Sequence, residues 1–159
     1  FDFSRLSDLT GIGRAPALKD FRIGNKVWSK AVIDSFLPFS GTAVEKLSFS
    51  GRAIKDNDLS FLDKMLSLRV FDFPTNLYTT AQVAWIAANF PELEGYALGA
   101  KVDITAPGSD EGPEVIIVGK GKPHLIVRGN EKRIGKYEAE FEALKERYRG
   151  VPYHTAFLD

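Results

Sequence analysis

Apolar residues recur in one repeated pattern along the first hundred residues. Four six-residue segments carry apolar side chains at their first, fourth and sixth positions, and their starts lie 26, 24 and 25 residues apart. The segments are 18–23, 44–49, 68–73 and 93–98. Because successive side chains of a strand point to opposite faces, the pattern predicts four similar strands. A near-constant period is typical of stacked repeats, in which each unit buries its apolar face against its neighbours.

The same pattern predicts which side of the sheet each side chain occupies. The inward set comprises Phe21, Leu47, Phe71 and Tyr96. The outward set comprises Arg22, Ser48, Asp72 and Ala97. Residues 1–3 (Phe-Asp-Phe) have the same sequence as 71–73, and we interpret them as the truncated start of a further repeat unit.

Between the strands the chain has to return on the opposite side of the sheet, and the pattern predicts three helices there. The first covers 29–37 with Ser29 as N-cap, and the second follows a cap at one of residues 56–58. Their buried faces comprise Val32, Ile33, Phe36 and Leu37 in the first and Leu59, Leu62, Met65 and Leu66 in the second. The third begins with a capping box at 79–82 and continues with Val83, Ile86 and Phe90. Residues 6–16 contain two glycines and a proline and predict a short irregular return.

After residue 98 the repeat pattern ends and a different organisation begins. Residues 105–114 predict a polar, acidic loop, and 115–118 and 124–127 predict two buried strands. We expect the first of these to extend the parallel sheet as its last strand and the second to lie beside it. A helix is predicted over 130–148, with Gly150 at its C-terminal cap. This segment is placed to shield the last repeat, as stacked folds require.

The repeated segments resemble the leucine-rich repeat family over about residues 1–100. The best match to its L-x-x-L-x-L-x-x-N pattern is Leu68, Phe71, Phe73 and Asn76, whereas Lys26, Arg52 and Lys101 stand at the other asparagine positions. The resemblance implies a divergent, bacterial-type α/β solenoid with a parallel concave sheet and convex helices. Residues 1–104 would form the solenoid and 105–159 a strand-helix cap, packed as one domain. Such solenoids typically bind other proteins.

Composition limits the classes of partner. Lys plus Arg and Asp plus Glu both number 21, so no net field favours nucleic acid or an acidic membrane. No apolar run reaches the roughly 18 residues that span a bilayer. Cysteine is absent, which leaves the compartment open. We therefore expect a soluble protein, with the cytoplasm slightly favoured, that binds neither nucleic acid nor membrane.

Outward charges on the predicted strands form the leading candidate surface. In one lateral row the charges alternate, which favours sideways ion pairs between neighbouring strands. The predicted partner-binding residues are Asp2, Lys19, Arg22, Glu45, Ser48, Arg69, Asp72 and Glu94. Few aromatic residues are predicted on this face, which argues against a dominant hydrophobic hot spot.

A second candidate surface is a basic patch near the C-terminal cap. It comprises Lys120, Lys122, Arg128, Lys132 and Arg133 and could contact an acidic partner or a phosphate. The run 119–124 lacks the spacing of a phosphate-binding loop, so a basic turn between strands is the favoured interpretation.

The remaining chemistry-bearing residues predict no catalytic, metal or cofactor site. His124 and His154 have no ligand spacing around them, and the carboxylates Asp103, Asp110, Glu111 and Glu114 are more typical of a mobile acidic loop than of a cation site. Trp28 and Trp85 are interpreted as packing residues, with a role as partner anchors as the alternative.

The leading functional hypothesis is a non-enzymatic protein-binding module that uses the concave sheet. By analogy alone, it could be an immunity or regulatory protein that neutralises a cognate toxin or enzyme. The alternatives are an enzyme or phosphate-binding protein that uses His124, Lys120 and Lys122, and a structural fragment of a larger repeat protein.

Overall fold

The computed structural model describes residues 7–24, 32–51, 53–104 and 112–158, which form a mixed α/β fold. The described strands are β1 (Asp20–Ile23), β2 (Val32–Ile33), β3 (Lys46–Phe49), β4 (Ala53–Ile54), β5 (Val70–Asp72), β6 (Lys101–Asp103), β7 (Glu114–Ile117) and β8 (His124–Ile126). The α-helices are α1 (Thr80–Asn89), α2 (Glu131–Tyr148) and α3 (Tyr153–Phe157), and short 3₁₀ helices cover Ile12–Arg14, Leu37–Phe39 and Ser60–Lys64.

Strands β1, β3 and β5 form a parallel sheet in sequence order, as the repeat predicts. The register pairs Phe21 with Leu47 and Leu47 with Phe71. A single parallel bridge between Val70 and Glu94 continues the series. We call β1 to β5 with their three 3₁₀ helices the parallel region.

The return segments differ from the predicted helices. Within 32–37 the chain forms β2, which pairs in parallel with β4, and the 3₁₀ helix Leu37–Phe39 follows. Ile33 and Phe36 are buried as expected, but Leu37 is exposed. The second return is the 3₁₀ helix Ser60–Lys64, which buries Leu59, Leu62 and Met65. Because that helix ends at Lys64, Leu66 no longer shares its buried face and is 92% exposed.

Two sequence predictions about helices are confirmed. The capping box of α1 forms, with Thr79 Oγ1 accepting the Gln82 backbone N–H at 3.2 Å and Gln82 Oε1 accepting the Thr79 backbone N–H at 3.1 Å. Helix α2 runs over the predicted residues, and Gly150, with φ +71°, follows its C-cap in the left-handed conformation that favours glycine. The irregular first return is also found, over the described residues 7–16.

Aromatic rings fill the core of the parallel region. Phe36 is fully buried, and its ring centroid lies 5.6, 5.8 and 5.9 Å from those of Phe49, Phe61 and Phe71. These rings come from successive return segments and strands, so each unit packs on the next. The contacts of Phe36 with Phe49 and Phe71 are edge-to-face, a geometry that adds to the stabilisation from apolar burial.

Strands β6, β7 and β8 form a separate antiparallel sheet, in contrast to the predicted extension of the parallel sheet. Strand β6, which the apolar pattern does not predict, pairs Val102 with Ile116 of β7. This pairing occupies the edge of β7 that would otherwise be free. Strand β8 lies on the other side of β7, as expected. We call these strands and α2 the antiparallel region.

Helix α2 spans two clusters of buried residues. Ile134 packs in a small cluster with Val115, Ile117 and Leu125 of the antiparallel sheet. Further along the same helix, Phe141 and Tyr148 belong to the large cluster that contains the core of the parallel region. The helix therefore closes both cores.

Helix α1 joins the parallel region to the last described residues through polar contacts. Gln82 Nε2 donates to the Asn57 carbonyl at 3.1 Å and to the Tyr153 hydroxyl at 2.9 Å. Trp85 is 1% exposed and its Nε1 donates to the Val151 carbonyl at 2.7 Å. Asn89 Nδ2 donates to the Tyr148 carbonyl, and its Oδ1 accepts the Gly150 N–H. The packing interpretation of Trp85 is confirmed, whereas Trp28 lies outside the described residues.

Several other predictions concern residues outside the described ranges. They are the unit start at 1–3, the N-cap Ser29, the asparagine-equivalent positions Lys26 and Arg52, and most of the acidic loop, with Asp110 and Glu111. Among the described residues, no helix combines the length and apolarity needed to cross a membrane.

Candidate functional site

The outward side chains of the parallel sheet lie in two lateral rows. The register places Asp20, Lys46 and Val70 opposite one another, and the bridge adds Glu94 to this first row. The second row contains Arg22, Ser48 and Asp72, and Tyr96 follows two residues after Glu94. We call these eight residues, with Lys19, Glu45 and Arg69 directly before the strands, the sheet face. Of its predicted members, Asp2 lies outside the described residues.

Two ion pairs occupy the β1 end of the sheet face. Lys19 Nζ lies 3.0 Å from Glu45 Oε1 across neighbouring strands, which confirms the predicted sideways pairing at this position. Arg22 donates from Nε and Nη2 to the two carboxylate oxygens of Asp20 at 2.9 and 2.8 Å. The hydrogen bond from Arg22 lowers the pKa of Asp20, and the same contact raises the pKa of Arg22. Both pairs are exposed, so salt and solvent screen them.

The predicted row of alternating charges does not continue past Glu45. Arg69 forms no ion pair with any described residue, and Glu94 lies opposite Val70 instead of Arg69. Glu94 therefore belongs to the same row as Asp20 and Lys46.

The other end of the sheet face is organised around Asp72. Its Oδ2 accepts a hydrogen bond from Ser48 Oγ at 3.4 Å, and its Oδ1 accepts the backbone N–H of Tyr96 at 2.9 Å. The Tyr96 side chain is 55% exposed. The Asp72 carboxylate thus fixes the backbone that presents an exposed aromatic ring beside it.

Tyr96 and Ala97 occupy the opposite sides from those predicted. The bridge shifts the fourth segment by one residue relative to the pattern, and such a shift exchanges the two faces of a strand. Tyr96 is therefore outward, and Ala97 is fully buried. Gly95 explains the shift, because a Cβ there would lie 2.2 Å from the Phe71 carbonyl oxygen, and only glycine fits so close to β5. An aromatic residue absent from the predicted binding set thus lies on the sheet face.

The basic patch is only partly assembled around one ring. Lys122 Nζ lies 4.8 Å from the Tyr137 ring centroid and 3.4 Å from Glu140 Oε2. The Arg133 guanidinium lies 6.0 Å from the same ring. The remaining predicted members, Lys120, Arg128 and Lys132, are exposed at the turn and at the start of α2. The Glu140 carboxylate partly neutralises this patch.

The two histidines lie apart from any metal-binding cluster. His124 Nε2 lies 2.7 Å from Glu114 Oε2 on the neighbouring strand, and the His124 side chain is exposed. His154 is exposed on α3. Within the described ranges, no group of three or more His, Cys, Asp or Glu side chains is placed to hold a metal ion.

Comparisons with protein-family models, with curated proteins and with solved structures found no match to this chain.

Proposed function

We propose that this chain is a non-enzymatic protein-binding module whose sheet face contacts the partner. The observation that carries the proposal is the surface of the two outward rows, with Tyr96 at one end. Of the eight residues in these rows, Ser48, Val70 and Asp72 are half-buried and the other five are exposed. Tyrosine is enriched among the residues that dominate binding energies at protein interfaces. Around it, Asp72 and Glu94 supply carboxylates and Val70 an apolar contact.

The proposal extends to the finer architecture. The parallel order of β1, β3 and β5 and the successive packing of their return segments support a short solenoid of leucine-rich-repeat type. Two features distinguish it from the usual pattern. The return segments that precede α1 along the chain contain 3₁₀ helices and, over their described residues, no α-helix. Asn76, the one asparagine at the family's turn position, is exposed.

Charge arrangement suggests how such a face would discriminate between partners. At the β1 end, Asp20 with Arg22 and Lys19 with Glu45 already neutralise each other. At the Tyr96 end, Glu94 is exposed and has no ion pair within the described part of the chain. A partner that presents a basic residue toward Tyr96 would therefore bind most tightly, because the ring face and the carboxylates both attract a cation.

The test is capture of a partner from the source cells by wild-type and variant chains in parallel. Tyr96→Ala and Glu94→Arg should release a partner that wild type binds stoichiometrically. Leu158→Ala and Arg128→Glu serve as matched controls, since Leu158 is 57% exposed and Arg128 is an exposed arginine outside the sheet face. The captured partner is then titrated calorimetrically against each purified, folded variant.

Retention of the partner by both face variants would contradict the proposal. If wild type shows catalytic turnover and His124→Ala abolishes it, the enzymatic alternative is favoured instead. Loss of the partner in Arg128→Glu alone would indicate that the interface lies at the basic patch.

A further inference from the structure

A cleft of about 300 Å³ opens between the end of the second return segment and the end of α1. Its apolar walls come from Met65 and Leu68 on one side and from Phe90 and Leu93 on the other. A volume of this order lies at the lower end of the range for small-ligand pockets. We call it the end cleft.

Leu66 lies on the rim of the end cleft and is the most exposed large apolar residue among those described, at 92%. A single exposed leucine is ordinary on a protein surface. Here it borders a concave apolar surface, so one bound side chain could contact Leu66 and the cleft walls together.

The charged lining of the end cleft is mostly acidic. Asp63 and Glu92 contribute carboxylates and Arg69 contributes one guanidinium, and none of the three forms an ion pair with a described residue. Asp63 also lines a second cleft, which continues past Phe90 to Val151 and Pro152. Burial raises the pKa of Asp63, while the nearby His154 lowers it more weakly. The Asp63 side chain is thus exposed at the boundary between the two clefts and has no bonded cation among the described residues.

We infer that the end cleft binds a peptide segment of a partner protein in which an apolar side chain adjoins a lysine or arginine. The apolar side chain fills the space between Leu68 and Phe90 and is covered by Leu66. The adjoining cation reaches the Asp63 carboxylate at the edge of the cleft and forms a charge-assisted hydrogen bond with it. Among the residues that line the cleft only Arg69 also belongs to the sheet face, so the site goes beyond the proposed function.

The test uses three blocked dipeptides as probes of the ¹⁵N-labelled protein by NMR titration. N-acetyl-Leu-Arg-amide should shift the amide signals of Leu66, Arg69 and Leu93 with a dissociation constant on the order of millimolar. N-acetyl-Leu-Glu-amide should bind about fivefold more weakly, as expected for the loss of one exposed ion pair. N-acetyl-Gly-Arg-amide should produce no saturable shift at these residues.

Two variants separate the apolar from the charged contribution. Asp63→Asn should bring the Leu-Arg and Leu-Glu affinities to within about twofold of each other, whereas the control Asp103→Asn, at an exposed carboxylate of β6, should keep the preference. Leu66→Ser should weaken both leucine peptides equally and leave the thermal midpoint unchanged, because Leu66 is not part of the core.

Shifts scattered over the surface, equal affinity of wild type for the two leucine peptides, or a preference that survives Asp63→Asn would each overturn the inference. Tyr96→Ala should leave the dipeptide titrations unchanged, so failure of this site and failure of the sheet-face proposal are distinguishable.

Discussion

The parallel and antiparallel regions assemble their cores from different kinds of residue. In the parallel region, rings such as Phe36, Phe61 and Phe71 come from successive units and pack on one another. In the antiparallel region, a small set of aliphatic residues around Val115 and Ile117 lies under a single helix. The first arrangement distributes burial over neighbouring units, whereas the second depends on α2.

The contrast concerns how the parallel region is covered beyond β5. The antiparallel sheet does not extend the parallel one, and its own core is small. This end of the molecule is also joined to the large core, through Phe141 of α2, Tyr153 of α3, Val102 of β6 and Val118. We expect four substitutions to break or sharpen this comparison.

The largest effect is expected at the centre of the ring cluster. Phe36→Ala removes a fully buried ring that contacts four others, and should lower the free energy of unfolding by about 3–5 kcal/mol in urea titrations. Leu37→Ala, at the adjacent exposed position, should cost less than about 1 kcal/mol. A similar loss for both variants would mean that the rings do not dominate the parallel region.

The next largest effect is expected where α1 meets α3. Gln82→Ala removes the capping-box acceptor and leaves the Asn57 carbonyl and the Tyr153 hydroxyl without their amide donor, which should cost about 2–3 kcal/mol. Gln82→Glu keeps the capping acceptor but places a buried carboxylate oxygen against the Asn57 carbonyl, so its free energy of unfolding should fall at least as far. A double-mutant cycle with Tyr153→Phe measures the coupling, and strict additivity would contradict the network.

A smaller, local effect is expected in the antiparallel region. Ile117→Val should cost about 0.5–1.5 kcal/mol and speed amide exchange in β6, β7 and β8 more than in β1, β3 and β5. Ile33→Val makes the same change in β2 and should produce the opposite distribution. Uniform acceleration by either variant would show that the two cores open as one unit.

The smallest effect at neutral pH is expected at Tyr78. Its hydroxyl is buried without a hydrogen-bond partner among the described residues, so Tyr78→Phe should leave stability unchanged or raise it by up to about 1 kcal/mol at pH 7. The Tyr153 hydroxyl, which donates to the Asn57 carbonyl at 2.9 Å, provides the contrast. Tyr153→Phe should cost about 1 kcal/mol, and a comparable cost for Tyr78→Phe would reveal a bound partner.

At alkaline pH the difference in free energy of unfolding between Tyr78→Phe and wild type should increase. Desolvation by burial raises the pKa of Tyr78 well above 10, so the folded chain keeps a proton that the unfolded chain releases near pH 10. Its contribution to stability is complete below about pH 10 and is lost as pH rises further. In urea titrations at successive pH values above 10, the free energy of unfolding should therefore fall less steeply with pH for Tyr78→Phe than for wild type.

The sequence predicts the parts of the fold that depend on local periodicity. The register of Phe21, Leu47 and Phe71 follows from the repeat, and α1 follows from the capping box at Thr79. On the candidate site, the Lys19–Glu45 pair follows from the same spacing. In these cases the deciding interactions lie within one helical turn or one repeat.

The remaining features depend on contacts that no local pattern contains. Gly95 reverses the sides of Tyr96 and Ala97 because it lies so close to β5. The end cleft arises where a 3₁₀ helix stops two residues before Leu66. Strand β6 is too short for its apolar pattern to be recognised. Its pairing with β7 decides the topology of the last third of the chain.

The hydrogen bond from the Trp85 indole to the Val151 carbonyl joins residues 66 positions apart, so it can form only late in the synthesis of the chain. During synthesis the strands of the parallel sheet can pair once residue 98 has left the ribosome. At about 5–20 residues per second, residue 151 follows several seconds later. Until then the indole N–H of Trp85 stays open to water or a chaperone. In ribosome-bound Trp28→Phe chains of increasing length, Trp85 emission should shift to shorter wavelength only after residue 151 has emerged, and a shift in shorter chains would contradict that order.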